Sequence, residues 1–87
     1  MNILRYLHTV EKDIKQHFGI DNCKLTNKDG KIQLIFYGYD ERMEEIVQYC
    51  KQQLETELEK TFILHHGQSW AQNSEENTHL YRFIEEE

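Results

Sequence analysis

Apolar residues recur with two different periods along this chain. Ile3, Leu7, Val10, Ile14 and Phe18, with Leu4 beside them, follow the three-to-four spacing of one helix face. Asn2 stands where a side-chain oxygen can cap that helix, and Gly19 where a left-handed residue can end it. Glu11 and Lys15 form a well-oriented i,i+4 pair, and Glu11, at the stripe's edge, is expected to reach outward to solvent. A second helix is predicted from Asp40 to Lys60, with Met43, Ile46, Val47, Cys50, Leu54 and Leu58 as its buried stripe. Asp40 is its expected N-cap, and Glu41, Glu44 and Glu45 follow at the positive end of the helix dipole.

Elsewhere the period is two. Cys23 to Asn27 predicts a strand, and Asn27-Lys28-Asp29-Gly30 a turn in which Gly30 supplies the positive φ. Lys31 to Tyr37 predicts a second strand. Ile32, Leu34 and Phe36 share one side and Gln33, Ile35 and Tyr37 the other, so apolar residues on both sides mark it as interior. Thr61 to His66 predicts a third strand, Gly67 to Asn77 a polar loop carrying Trp70, and Thr78 to Glu85 a fourth strand. In the fourth strand Leu80, Arg82 and Ile84 alternate with Tyr81 and Phe83.

The element order α-β-β-α-β-β predicts an α+β fold within a single domain over residues 1–87. A four-stranded, mainly antiparallel sheet would carry two helices packed on one face. The two halves share their element order without shared residues. The other sheet face is expected to hold some of Ile35, Tyr37, Ile63, His65, Tyr81 and Phe83, a content too apolar to stay uncovered. A homodimer or the loop bearing Trp70 is expected to cover it.

Composition narrows the class. The chain is 38% hydrophobic and 30% charged, which suits a folded globule. No apolar run is long enough to cross a membrane, and the first residues lack the pattern of a signal peptide. Cys23 and Cys50 are far apart and fit no metal or redox spacing, so a reduced, cytoplasmic protein is expected. The net charge of −6 is uneven: residues 1–31 carry six cations and four acids, whereas residues 40–87 carry four cations and twelve acids. This balance disfavours direct nucleic-acid binding and favours a basic protein partner.

The end of the second helix breaks a rule, because Glu55, Glu57 and Glu59 crowd the negative end of its dipole. Glu41, Glu45, Gln52, Glu55 and Glu59 share its outer side with Tyr49, and Glu41–Glu45 and Glu55–Glu59 are like-charge pairs. These residues, together with Trp70, Glu75 and Glu76, are the expected partner-binding surface. The function expected is that of a small, acidic, non-enzymatic protein-binding module, concretely an inhibitor of a nucleic-acid-handling protein of the sort mobile elements encode. The rival expectation is a nucleotide-like planar ligand on an aromatic sheet face formed by Tyr37, His65, Tyr81 and Phe83.

No chemistry-bearing motif competes with these. His65 and His66 are neighbours in a strand, so they point to opposite faces and do not easily share one metal; His65 with His79 across paired strands is geometrically possible, but no spacing matches a zinc signature. His66, His79, Glu75 and Glu76 supply acid–base groups without a nucleophile motif, and Gly30, Gly38 and Gly67 are isolated turn glycines. Neither catalytic residues, metal nor cofactor is expected.

Overall fold

The first apolar stripe folds as α1 (Ile3–Phe18) in a computed structural model that describes residues 2–70 and 77–86. Asn2 caps it as expected: its Oδ1 accepts from the backbone N–H of Leu4 at 3.1 Å and of Arg5 at 3.3 Å. Gly19 closes it in the left-handed conformation, φ 66°. Leu7, Val10 and Ile14 are buried, whereas Leu4 is 61% exposed and lies off the packed stripe.

β1 (Cys23–Lys28) and β2 (Lys31–Tyr37) form an antiparallel hairpin. Both residues of its turn are left-handed, Asp29 at φ 53° and Gly30 at φ 79°. That pairing matches the twist of the flanking strands.

α2 (Met43–Leu58) begins three residues after the expected cap. Asp40 turns its carboxylate on Arg42 instead, accepting from the backbone N–H at 2.8 Å and from the guanidinium at 3.3 Å. Those bonds hold the Asp40 carboxyl below its ordinary range. No side chain caps α2, and it ends at Glu59, a non-glycine residue at φ 54°. Met43, Ile46, Val47, Cys50 and Leu54 are buried, in agreement with the predicted stripe.

β3 (Phe62–Trp70) outruns its expected end at His66. Gln68, Ser69 and Trp70 lack an apolar alternation, yet each finds a ladder partner in β4 (Asn77–Glu85), at His79, Thr78 and Asn77. Ladder pairing extended this strand where side-chain pattern could not.

The sheet order is β1-β2-β4-β3, and all three neighbouring pairs are antiparallel. β2 and β3 therefore run parallel on either side of β4, joined by α2 as a split β-α-β unit. Both helices pack on the face bearing Leu25, Leu34, Phe36, Tyr81 and Phe83, in one continuous core.

Register corrects one expectation. Phe83 stands beside Ile32 and Leu64, and Tyr81 beside Leu34 and His66, so Tyr81 and Phe83 face the helices. The open face takes their neighbours instead: Leu80 beside Ile35, Arg82 between Gln33 and His65, and Ile84 beside Ile63. Both β4 sides are apolar, so alternation alone did not choose between them.

Each sheet edge is tied to a helix by a carboxylate. Glu11 accepts from the Leu25 N–H at 2.7 Å and Glu55 from the Phe62 N–H at 2.9 Å. Glu11 thus turns inward rather than to solvent. Blocking outward N–H groups protects edges from pairing with other chains.

Candidate functional site

The outer side of α2 carries most of the residues expected to meet a partner. Glu41, Glu45, Gln52 and Glu59 are exposed there. Three of the four cations of the later half are occupied by nearby acids: Arg42 pairs with Asp40 at 3.3 Å, Lys51 with Glu55 at 3.6 Å, and Lys60 with Glu85 at 3.2 Å, while Arg82 stands on the sheet. Among the described residues, the ion pair formed by an early lysine, Lys15–Glu11 at 3.3 Å, stays within α1. Among the described residues, then, Glu41, Glu44, Glu45, Glu57 and Glu59 have no ion-pair partner, and no lysine of the first half reaches them.

Two members of the expected surface have internal employment. Tyr49 is half-buried against α1. Its hydroxyl donates to Asp13 at 2.7 Å, its ring stacks on His17 at 4.7 Å, and it meets Phe18 edge-on at 5.4 Å. The Asp13 bond raises the Tyr49 hydroxyl above its ordinary pKa. Glu55 is also half-buried, held by the Phe62 N–H and Lys51. Tyr49 is therefore a helix–helix tie, and Glu55 an edge clamp. A shallow groove of about 390 Å³ runs beside them, lined by Glu45, Gln48, Tyr49, Lys51, Gln52 and Glu55. Trp70 closes β3 opposite Asn77, while Glu75 and Glu76 lie outside the described residues.

The residues proposed for a planar ligand do not form one site. Tyr37 and His65 stand on the open sheet face, and Tyr81 and Phe83 are buried under the helices. Period-two alternation separates them, so no single molecule contacts all four.

A second feature lies where α2 crosses β3 and β4. A cleft of about 280 Å³ is lined by Glu44, Val47, Gln48, Leu64, His66 and Tyr81. The rings of His66 and Tyr81 stack in parallel at 4.2 Å, and His79 follows at 5.7 Å from His66. Burial, and then the Glu44 carboxylate, raise the Tyr81 hydroxyl above its ordinary pKa. His79 is 8% exposed, and neither ring nitrogen has a hydrogen-bond partner among the described residues. Pattern reasoning missed this pairing because His66 and Tyr81 meet only through the β3–β4 register.

Among the described residues, no group of three or more His, Cys, Asp and Glu side chains is placed to hold a metal. Cys23 and Cys50 are free and buried, and burial pushes both thiols up, Cys23 to about 11. At neutral pH they are protonated and shielded, which is inert cysteine.

The open sheet face has the opposite character to α2. Glu85 is the only carboxylate in the four strands, and it sits on the helix side with Lys60. Lys24, Lys28, Lys31 and Arg82 all occupy open-face positions of the alternation. The signal was present in the sequence, as strands nearly free of acid, but dividing charge by chain segment concealed it. Among the described residues, no helix is long and apolar enough to cross a membrane. Neither a protein-family model, nor a curated protein, nor a solved structure matches this chain.

Proposed function

We propose that this chain is a non-enzymatic protein-binding module whose acidic helix layer docks on a basic partner. A nucleic-acid-handling protein inhibited by a mobile-element product is the concrete case. The observation that carries this reading is the set of exposed carboxylates on and beside α2, Glu41, Glu45 and Glu59, left without ion-pair partners. The placement of Glu59 also opposes helix preference, since it sits at the negative end of the dipole in a left-handed conformation. Locally costly charge retained on one surface is what a charge-complementary interface would use. The setting proposed is the reducing cytoplasm, where two unpaired thiols persist.

Tyr49 and Glu55 leave the contact list, because the fold uses both. The test is therefore a Glu41→Lys/Glu45→Lys/Glu59→Lys variant, which spares the clamp at Phe62. Capture of a partner from lysate should be lost in this variant and, in the unaltered protein, should elute at moderate salt. Equal capture by both proteins, eluting at the same salt, would remove the helix layer from the interaction.

A further inference from the structure

We infer that the open face of the sheet binds single-stranded nucleic acid. The proposal concerns the face opposite the helix layer and does not depend on the protein partner. Its first support is charge. Lys24 and Lys28 lie along edge strand β1, Lys31 begins β2, and Arg82 stands in central strand β4 beside His65. No strand carboxylate shares that face. Four cations stand on a face to which the strands contribute no carboxylate, with Asp21 before β1 and Asp29 in the hairpin turn, and in a chain of net charge −6 that concentration of positive charge suits an anion.

Apolar residues line this face beside the row of Thr26, Gln33 and Arg82. Ile35 and Leu80 are cross-strand neighbours at its centre, and Tyr37, 46% exposed, stands next along β2. Gly67 faces Leu80 on the far side. A Cβ built on Gly67 would meet nothing closer than the Leu80 carbonyl at 4.0 Å, and its φ is outside the left-handed region. The fold itself makes no demand for glycine here, and the missing side chain leaves the face open for something to approach the backbone. Cations interspersed with exposed apolar positions and an exposed ring at Tyr37 provide the chemistry of base stacking with backbone neutralisation.

Two other occupants fit less well. A second copy related by a two-fold axis would set this cationic face against itself. An acidic protein satisfies the charge but gives no reason for the bare backbone at Gly67. The acidic helix layer does not forbid the proposal. It lies one packing layer away, about 10 Å, which at physiological salt exceeds the screening length of about 8 Å. Net charge summed over chain segments set nucleic acid aside, but a ligand meets a face.

The experiment is fluorescence anisotropy of a labelled mixed-sequence 12-nucleotide RNA titrated with the full chain, at several salt concentrations. With four phosphate contacts, log affinity should fall against log salt with a slope of about −3, which is about fifty-fold weaker binding at 200 than at 50 mM. Tyr37→Ala should weaken binding roughly tenfold through lost stacking. Lys24→Gln/Arg82→Gln should halve the slope. Melting temperatures of these exposed-site variants verify that each is folded. Absence of an anisotropy change at low salt overturns the proposal. So does equal binding of heparin with no loss in Tyr37→Ala, which would be ion exchange alone. Sedimentation showing a dimer that Tyr37→Ala dissociates would assign the face to a second copy, and binding of oligoglutamate but not RNA would assign it to acidic protein.

Discussion

The two halves, α1-β1-β2 and α2-β3-β4, have the same architecture and opposite surface chemistry. Each contributes a helix, a hairpin and one protected edge, and the hairpins meet along β2 and β4. Even the edge device is repeated, a helix carboxylate accepting from an edge-strand N–H, with a lysine one turn away: Glu11 with Lys15, and Glu55 with Lys51. The halves differ where nothing is packed. α1 has a bonded cap at Asn2 and glycine at its end, whereas α2 has no side-chain cap, a left-handed Glu59 and carboxylates without ion pairs. Identical packing demands fixed the shared features. The second half's departures from helix preference fall on its solvent side, where packing makes no demand and binding can.

The largest test of the comparison asks whether the halves share one core. Ile14 and Ile46 are both fully buried, one in each helix. Ile14→Ala and Ile46→Ala should each cost about 2–5 kcal/mol in denaturant unfolding, with a single coincident transition by fluorescence and circular dichroism. Two transitions in either variant would show halves that fold separately.

The edge clamps come next. Glu11→Ala and Glu55→Ala should each cost about 1–3 kcal/mol, because each orphans a strand N–H and frees a lysine. Matched losses support the equivalence of the two edges. A loss confined to Glu11→Ala would free Glu55 for partner binding after all.

The helix ends should respond with opposite signs. Gly19→Ala forces a side chain into a left-handed site and should destabilise by about 1–2 kcal/mol. Glu59→Gly relieves the corresponding strain and should stabilise by about 0.5–1 kcal/mol, read as a rise in melting temperature. A neutral result at Glu59 would mean its side chain compensates for the backbone it occupies.

The smallest effect, absent at neutral pH, concerns the thiols. Burial raises Cys23 from 9.0 to about 11 and raises Cys50 as well. A raised folded-state value means that the protonated form's contribution is complete below pH 9 and is lost as pH climbs toward 11. Stability should therefore be flat in this respect up to about pH 9 and then decline, with Cys23→Ala declining less. At neutral pH both thiols should react with a thiol reagent at one common rate set by unfolding. Faster labelling of either would expose a half that opens alone.

Much of this fold was legible because the periods were clean. α1 and β2 follow their predicted spans, and both helical stripes are the buried stripes, since no Gly or Pro interrupts them. The start of α2 was misplaced because Asp40 has the residue type of a cap, and only the Arg42 contact shows where its carboxylate goes. The candidate surface on α2 was legible as a list of exposed acids. The engagement of Tyr49 with Asp13 and of Glu55 with Phe62 was not, because both bonds join separate elements.

The sequence by itself determined the element order, the helix stripes and the shortage of acid in the strands, all of which are local in the chain. Strand order, the side of β4 that is buried, and the separation of charge into an acidic helix layer and a cationic sheet face were decided by tertiary structure. The physical reason is that β4 is apolar on both sides. Only its pairing with β2 and β3 sends Tyr81 and Phe83 inward, and with that choice Arg82 joins Lys24, Lys28 and Lys31 on the opposite face.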